Sequence, residues 1–245
     1  TVALVKNTYS NAKVLKVMNY NVKGVPVFWY WHFRHRYIGK YLSSYRRSGQ
    51  GANVVALQEM MSMRTRKIRK MSKYPFWNQG PKGKLFRASS GLEILSDYPI
   101  LLSNKMIFSS CRGTDCLSRK GVQHVRVFVK ELPFLIDIYN THLNAGETEN
   151  LNIRKEQIKE MNNFIKETRD PEIPMIILGD FNFKQYNEEY MFFTQDLNPY
   201  NAAKECGLNI KCKGHANPYD IWENKLIDHQ FYQAGNSGHI KITPI

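Results

Sequence analysis

The stretch Ile176-Ile177-Leu178-Gly179-Asp180-Phe181-Asn182 runs three branched aliphatic residues into a glycine, then sets an aspartate and an asparagine two apart. A short apolar run bounded by glycine predicts a strand buried on both faces. Alternation along that strand puts Asp180 and Asn182 on one side and sends Phe181 into packing. A carboxylate and an amide are then expected side by side at a strand's end, where open α/β layers bind ligands. Taken alone, Gly-Asp-Phe-Asn is equally a turn that uses Asp and Asn for local hydrogen bonds.

The same device recurs along the chain. Val14 to Asn21 alternates as a strand and ends in a polar tip, with Gly24 and Pro26 closing it. Asn53 to Gln58 is a second apolar run, and Glu59 follows it. Phe134 to Leu143 is a third, carrying His142 near its end and Asn144 just beyond. Leu226 to Tyr232 adds Asp228 and His229. Taken singly, Glu59 is an exposed strand end and His142 a satisfied core histidine. Taken together they bring oxygen donors and an imidazole to strand ends. One or two carboxylates with an amide and water suit Mg²⁺, a hard cation that keeps much of its hydration shell. A histidine opposite can donate to a phosphoryl oxygen, and an Asp beside an Asn can hold or deprotonate an attacking water. Such a set fits phosphodiester hydrolysis, with charge on the equatorial oxygens stabilised from both sides.

Other stretches supply the scaffold. Phe28 to Arg47 is dense in aromatics and arginines. Tyr30, Phe33, Tyr37, Tyr41 and Tyr45 recur at spacings of three and four, which predicts a helix with one aromatic face. That face is read as the side packed on a sheet; the alternative is that outward Trp and Arg residues touch a membrane interface. Met60 to Lys73 reads as a basic helix or loop with a solvated face. Gly91 to Ser96 and Pro99 to Ser103 read as neighbouring strands around a turn at Asp97-Tyr98. Gly121 to Lys130 alternates with Val125, Val127 and Val129 on one face. Leu151, Ile158, Met161 and Ile165 form the inward stripe of a helix that Thr148 is expected to cap. Further elements follow near Asn187 to Gln195 and at His239 to Thr243. Mixed strands and helices with hairpin signals predict an α+β fold, an α/β sandwich with sheets inside and helices outside.

The length of 245 residues and the lack of a linker-like break predict one domain spanning 1–245. No apolar run approaches a membrane span, and no secretory signal is seen at the start. A net charge of +14 predicts attraction to polyanions, either a phospholipid membrane surface or nucleic acid. No feature points to a protein partner, and a monomer is expected. Cysteines come as two close pairs, Cys111/Cys116 and Cys206/Cys212, each able to close a small loop in an oxidising compartment. Their spacing does not suit a tetrahedral zinc site. Secretion is therefore favoured over the cytosol.

Asn21 in Asn-Tyr-Asn-Val, Gln58-Glu59, Thr141-His142-Leu143 and Gly179-Asp180-Phe181-Asn182 resemble the ordered signatures of the endonuclease/exonuclease/phosphatase superfamily. That superfamily has the deoxyribonuclease I-like fold, two central, mostly antiparallel β-sheets flanked by helices. The likeness spans about residues 14 to 232. Ser110 to Val122, with its Asp-x-Leu-Ser-x-Lys-Gly core, is similar to the corresponding segment of neutral, magnesium-dependent sphingomyelinases. The resemblance implies Glu59 as main metal ligand with Asn21 beside it, for Mg²⁺ or a substitute such as Mn²⁺. It implies His142 on the phosphate, Asp180 on the water, and Asn182 supporting the phosphate. Asp115 and Lys120 become candidates for active-site support or headgroup handling, with Asn144 near them.

The resemblance implies a Mg²⁺-dependent phosphodiesterase that releases the phosphorylated headgroup of a sphingomyelin-like phospholipid. A nuclease on the same scaffold is the alternative, and a catalytically dead polyanion-binding module the third. Two departures from the family pattern matter. Leu226 to Tyr232 matches the family's penultimate Asp-Tyr strand, so its final Ser-Asp-His is not found before Ile245. Either a C-terminal strand is missing from this sequence or Asp228-His229 stands in for the dyad, with His239 as a further candidate for the base. The apolar membrane hairpin of secreted bacterial sphingomyelinases also has no clear counterpart between Asn182 and Asp228.

Overall fold

The strand at Ile176 is buried along its whole length and lies inside a sheet, between a parallel and an antiparallel neighbour. The protein is described here by a computed structural model that covers residues 2–7, 14–25, 32–130, 132, 134–146, 148–185, 187–202, 227–236 and 240–244. Their elements, in chain order, are β1 (Val2–Asn7), β2 (Val14–Asn21), α1 (His32–Arg47), β3 (Val54–Gln58), α2 (Arg66–Ser72), β4 (Phe76–Gln79), β5 (Glu93–Ser96) and β6 (Ile100–Ile107). There follow β7 (Gly121–Val129), β8 (Phe134–His142), α3 (Leu151–Thr168), β9 (Met175–Asp180), α4 (Glu188–Leu197), β10 (Tyr200–Asn201), β11 (Asp228–Gln233) and β12 (Ile240–Pro244).

The strands form two sheets, ordered β12-β1-β2-β3-β5-β4 and β10-β11-β9-β8-β7-β6. Most pairings are antiparallel; β2 with β3 and β8 with β9 are parallel. The sheets face each other across a core of Leu15, Val17, Val54, Ala56, Ile136, Ile138, Ile176 and Leu178. Strand alternation sends the intervening residues outward. Val55 and Leu57 meet Leu42 and Ile68 of α1 and α2. Met175 and Ile177 meet Ile158, Met161 and Ile165 of α3. A strand apolar on both faces therefore sits between two cores, and each buried Ile or Leu contributes roughly 1.5–3 kcal/mol. Gly179 allows the tight approach of β9 to β8, since a side chain there would meet the Thr141 carbonyl at 2.4 Å.

This is the α/β sandwich expected from the pattern, with the two mostly antiparallel sheets that the resemblance implies. Three expectations are corrected. Pro99 to Ser103 does not pair beside Gly91 to Ser96. The chain changes sheets at Asp97-Tyr98, so β5 lies in one sheet and β6 in the other. Arg46 pairs with Asp97 and holds that corner to α1. The aromatic face of α1 points outward: Phe33, Tyr37 and Tyr41 are 76%, 66% and 59% exposed. The helix packs instead through His35, Leu42 and Ser43, which lie on its opposite side. Finally, Thr148 opens a short 3-10 turn before α3 rather than capping it, and the cap position is Asn150. Tyr30, Pro26, Cys206, Cys212 and His239 lie outside the described residues. Among the described residues no helix is long and apolar enough to cross a membrane.

Candidate active site

The facing strands change character along their length. Toward one end the inward positions are Leu15, Val17, Ile136, Ile138, Ile176 and Leu178. Two residues further along, the same inward parity is taken by Asn19 and Asn21 on β2, Gln58 on β3, Asn140 and His142 on β8, Asp180 on β9 and Asp228 on β11. The inter-sheet layer thus turns from apolar to polar at the carboxyl ends of its two parallel pairs.

An amide network forms the floor. Gln58 Nε2 donates to Asn19 Oδ1 and to Asn140 Oδ1, both at 2.8 Å. Asn140 Nδ2 donates to the Leu57 carbonyl at 3.0 Å, and Asn19 Nδ2 to the Gly179 carbonyl at 3.1 Å. These bonds lock the two sheets together where apolar contact stops, since a buried amide left unpaired costs about 1–3 kcal/mol.

Above the floor, Asn21 Nδ2 donates to Glu59 Oε1 at 2.9 Å and to Asp180 Oδ2 at 2.8 Å. One amide thus joins carboxylates from the two sheets. Glu59 reaches the rim because the chain leaves β3 with φ of 60°, in the left-handed region that non-glycine residues avoid. Gly24 lets the neighbouring loop close over it, because a side chain there would meet the Glu59 carbonyl at 2.4 Å. Asn182 also leaves its strand with positive φ, 52°. Its backbone N–H donates to Asp180 Oδ1 at 3.1 Å, and its Nδ2 to the Leu143 carbonyl at 3.0 Å. Strained backbone at two strand ends is a feature that clusters at functional sites. Phe181 points away, as alternation predicted, and packs on Phe183, Phe193 and Phe231.

His142 Nε2 stands 3.7 Å from Asp180 Oδ2, too far for a hydrogen bond. It is 3.1 Å from Lys120 Nζ. Lys120 also reaches Asp115 Oδ2 at 3.0 Å and the Leu143 carbonyl at 2.7 Å. Burial, and then the Lys120 charge, hold the His142 imidazole well below its ordinary value. Burial lowers the Lys120 amine, while Asp115, Asp180 and Glu59 oppose the shift. Asp180 and Asp228 are directly opposed residues of β9 and β11. Burial raises Asp180, and the Asn21 hydrogen bond opposes that rise. Burial, and then the Asp180 charge, push Asp228 up to about 7. Two buried carboxylates on opposed residues cannot both ionise at low cost, which is why the Asp180 charge adds to burial in raising Asp228.

The segment before Lys120 is closed by a Cys111–Cys116 disulfide. Asn144 Oδ1 accepts from the Arg112 backbone N–H at 3.0 Å, and its Nδ2 donates to the Ala145 carbonyl at 2.9 Å. Asn144 and Asp115 therefore brace this segment instead of facing the cleft. Arg154 and Glu189, a buried pair at 2.7 Å, support it from α3 and α4, with Arg154 also donating to the Gly146 carbonyl.

Asn21, Glu59, Lys120, His142, Asp180, Asn182 and Asp228 are thus brought to one rim, and Asp115 and Asn144 stand behind it. His229 is not. Period two places it opposite Asp228, where its ring stacks on Phe183 and packs on Phe181 and Phe231, with Nε2 on the Phe183 carbonyl at 2.8 Å. The Asp228-His229 dyad is therefore not formed. The floor amides Asn19 and Asn140 were missed in the sequence, although each lies two residues before a site residue. Among the described residues, no three His, Cys, Asp or Glu side chains form a metal cage. The carboxylates of Glu59 and Asp180 form a hard oxygen pair instead, joined by Asn21 Nδ2, while Asn21 Oδ1 accepts from the Lys23 backbone N–H at 2.9 Å. Its neutral bridge occupies the place between two negative groups, the environment a hydrated hard cation prefers.

A sphingomyelinase C of Bacillus cereus is 30% identical over 148 residues, covering 58% of this chain and 43% of its own length. A sphingomyelin phosphodiesterase 5 of Danio rerio is 30% identical over 132 residues, 47% of this chain and 24% of its own. The chain spans less than half the length of the curated relatives it matches. Among solved structures, a beta toxin variant from Staphylococcus aureus with bound magnesium ions is similar at a TM-score of 0.71. The two are 20% identical, and the likeness covers 97% of this chain and 85% of that one. The pattern of the Endonuclease/Exonuclease/phosphatase family matches residues 18–233, and the chain belongs to that family.

Proposed function

We propose that this chain is a Mg²⁺-dependent phosphodiesterase of the sphingomyelinase-like branch, acting on a sphingomyelin-like phospholipid and releasing its phosphorylated headgroup. The observation that carries the reading is the joining of Glu59 and Asp180 through Asn21, with His142 and Lys120 beside them. Glu59 and Asn21 would hold the magnesium, which supplies charge neutralisation for the phosphate. Asp180 orients the attacking water and takes its proton, and its raised proton affinity in a buried site suits that task. Water forms the new P–O bond, the P–O bond to the lipid alcohol breaks, and the leaving oxygen takes up a proton from solvent water. His142 and Asn182 would contact the phosphate, and the Lys120 charge beside His142 would stabilise its oxygens. Support for a lipid substrate comes from the Cys111 to Val122 segment and from the sphingomyelinase relatives.

The +14 charge equally favours a nuclease on the same scaffold. One preparation assayed on sphingomyelin liposomes and on plasmid DNA, with Mg²⁺ and with EDTA, separates them. Headgroup release that EDTA abolishes is the expected result. Plasmid cleavage without headgroup release would sink the lipid reading.

A further inference from the structure

The turn Lys84-Leu85-Phe86-Arg87 lies in the connection between β4 and β5. β5 runs antiparallel to β3 and β4 antiparallel to β5, so this connection emerges at the end of the sheet where β3 delivers Glu59. The two ends of the loop are tied to that rim. Met60 N donates to the Gly91 carbonyl at 2.8 Å, and Gly80 N to the Leu92 carbonyl at 2.8 Å. The loop is also laced to the segment that carries Lys120. Ala88 N donates to the Leu117 carbonyl at 2.8 Å, Arg119 N to the Ala88 carbonyl at 3.1 Å, and the Arg119 guanidinium to the Lys82 carbonyl at 2.8 Å.

The tip itself is built and fixed. Lys84 N donates to the Arg87 carbonyl at 3.1 Å, and Arg87 N returns the bond to the Lys84 carbonyl at 2.9 Å. Leu85 and Phe86, between them, are 83% and 91% exposed. Phe86 has φ of 65°, at the third position of the turn, where glycine or asparagine is the low-cost choice. The tip therefore carries two costs, a side chain in a left-handed backbone and two large apolar groups in water. Neither is offset by packing within the fold. Exposed Met63 and Leu117 flank the same rim.

The charges in the tip's own stretch of chain are all of one sign. Residues 60 to 92 contain nine Lys or Arg and no Asp or Glu. Lys82, Lys84 and Arg87 border the apolar tip directly, an arrangement in which long basic side chains reach headgroup level while the apolar groups go deeper.

We infer that the Leu85-Phe86 tip is a membrane anchor that inserts into the interface of an anionic phospholipid bilayer and seats the rim of the active site on its surface. The inference rests on the lipid reading above for its purpose. A bilayer suits the tip better than nucleic acid does. Nucleic acid would use the basic groups and could stack on Phe86, but Leu85, Met63 and Leu117 offer no face to a base. Apolar depth beneath a basic collar is what a lipid interface rewards.

Vesicle sedimentation tests it, using the full chain and the variant Leu85→Ser/Phe86→Ser, on phosphatidylcholine vesicles with and without phosphatidylserine. Expected is binding that favours the anionic vesicles and falls at least about tenfold in the variant, with the thermal midpoint and the hydrolysis of a water-soluble phosphodiester unchanged. Equal vesicle binding by variant and wild type would overturn the inference. So would wild type that binds duplex DNA and ignores vesicles. The two readings fail separately. Tip-dependent vesicle binding without headgroup release removes the lipid substrate and leaves the anchor. Headgroup release from detergent-dispersed sphingomyelin, with vesicle binding indifferent to the tip, removes the anchor and leaves the substrate.

Discussion

Lys120 Nζ stands 3.1 Å from Nε2 of His142, inside a site where both side chains are almost fully buried. The ammonium has three protons and meets three acceptors: His142 Nε2, Asp115 Oδ2 and the Leu143 carbonyl. That geometry requires a neutral imidazole with its lone pair on Nε2. Lys120→Met removes the charge that opposes a His142 cation. The His142 titration is then expected to move upward while staying below 6.5, because burial is the larger cause. Ring NMR reads this directly. Turnover should fall by about tenfold or more, as loss of a placed cation at a phosphate does. Stability should fall by about 1–3 kcal/mol, from acceptors left without a donor. An unmoved His142 titration would show that Lys120 does not set the state of the ring.

Glu59 is held at the rim by a strained backbone and by one amide from β2. A carboxylate kept there is expected to bind the metal. Glu59→Ala should weaken Mg²⁺ binding in calorimetric titration and abolish turnover, and Asn21→Ala should weaken binding less. Both variants should fold, since Glu59 is only half-buried. Unchanged magnesium affinity in Glu59→Ala would refute the ligand assignment.

The parts of this site that follow from strand periodicity were legible in the sequence. Asp180 and Phe181 fall on opposite faces as alternation requires, and Asn21 and His142 end strands whose apolar run is plain. The same rule separates Asp228 from His229, although adjacency in sequence suggests a dyad. The amide network of the floor was not legible, because Asn19 and Asn140 meet Gln58 across two sheets and only the fold brings the three together. The aromatic stripe of α1 carried the right period and the wrong direction. Periodicity identifies a face, but which face is buried depends on the partner, and here α2 packs on the other side. β4 was overlooked because Phe76 to Gln79 is short and exposed, and the switch of sheets at Asp97 leaves no local signal.

Arg154 and Glu189 tie α3 to α4 beneath the loop that follows β8. Burying a charge pair is costly, and removing one partner is costlier. Glu189→Ala is expected to destabilise the fold by about 3–5 kcal/mol in denaturant titration. The double variant Arg154→Met/Glu189→Leu should recover most of that stability. It should not recover turnover fully, because Arg154 also holds the Gly146 carbonyl and, through that loop, the neighbourhood of Asp115 and Lys120. Full recovery of both would reduce the pair to packing alone.

His229 supplies a pH dependence separate from catalysis. Its Nε2–H donates to the Phe183 carbonyl, and among the described residues its Nδ1 has no partner. A second proton on Nδ1 would place an unpaired cation among Phe181, Phe183, Tyr190 and Phe231. Burial accordingly pushes the group down to about 4, from 6.5. The folded state then binds fewer protons than the unfolded state between those values. Its contribution to stability is full above pH 6.5 and is lost as pH falls toward 4, amounting to about 3 kcal/mol. His229→Gln keeps a donor for Phe183 and cannot take up the proton. Wild type is therefore expected to lose about 3 kcal/mol relative to that variant between pH 7 and pH 4, read by urea unfolding at each pH. Parallel stability curves for the two proteins would mean that the unfolded and folded histidines bind protons alike, which a ring walled in by four aromatic side chains should not allow.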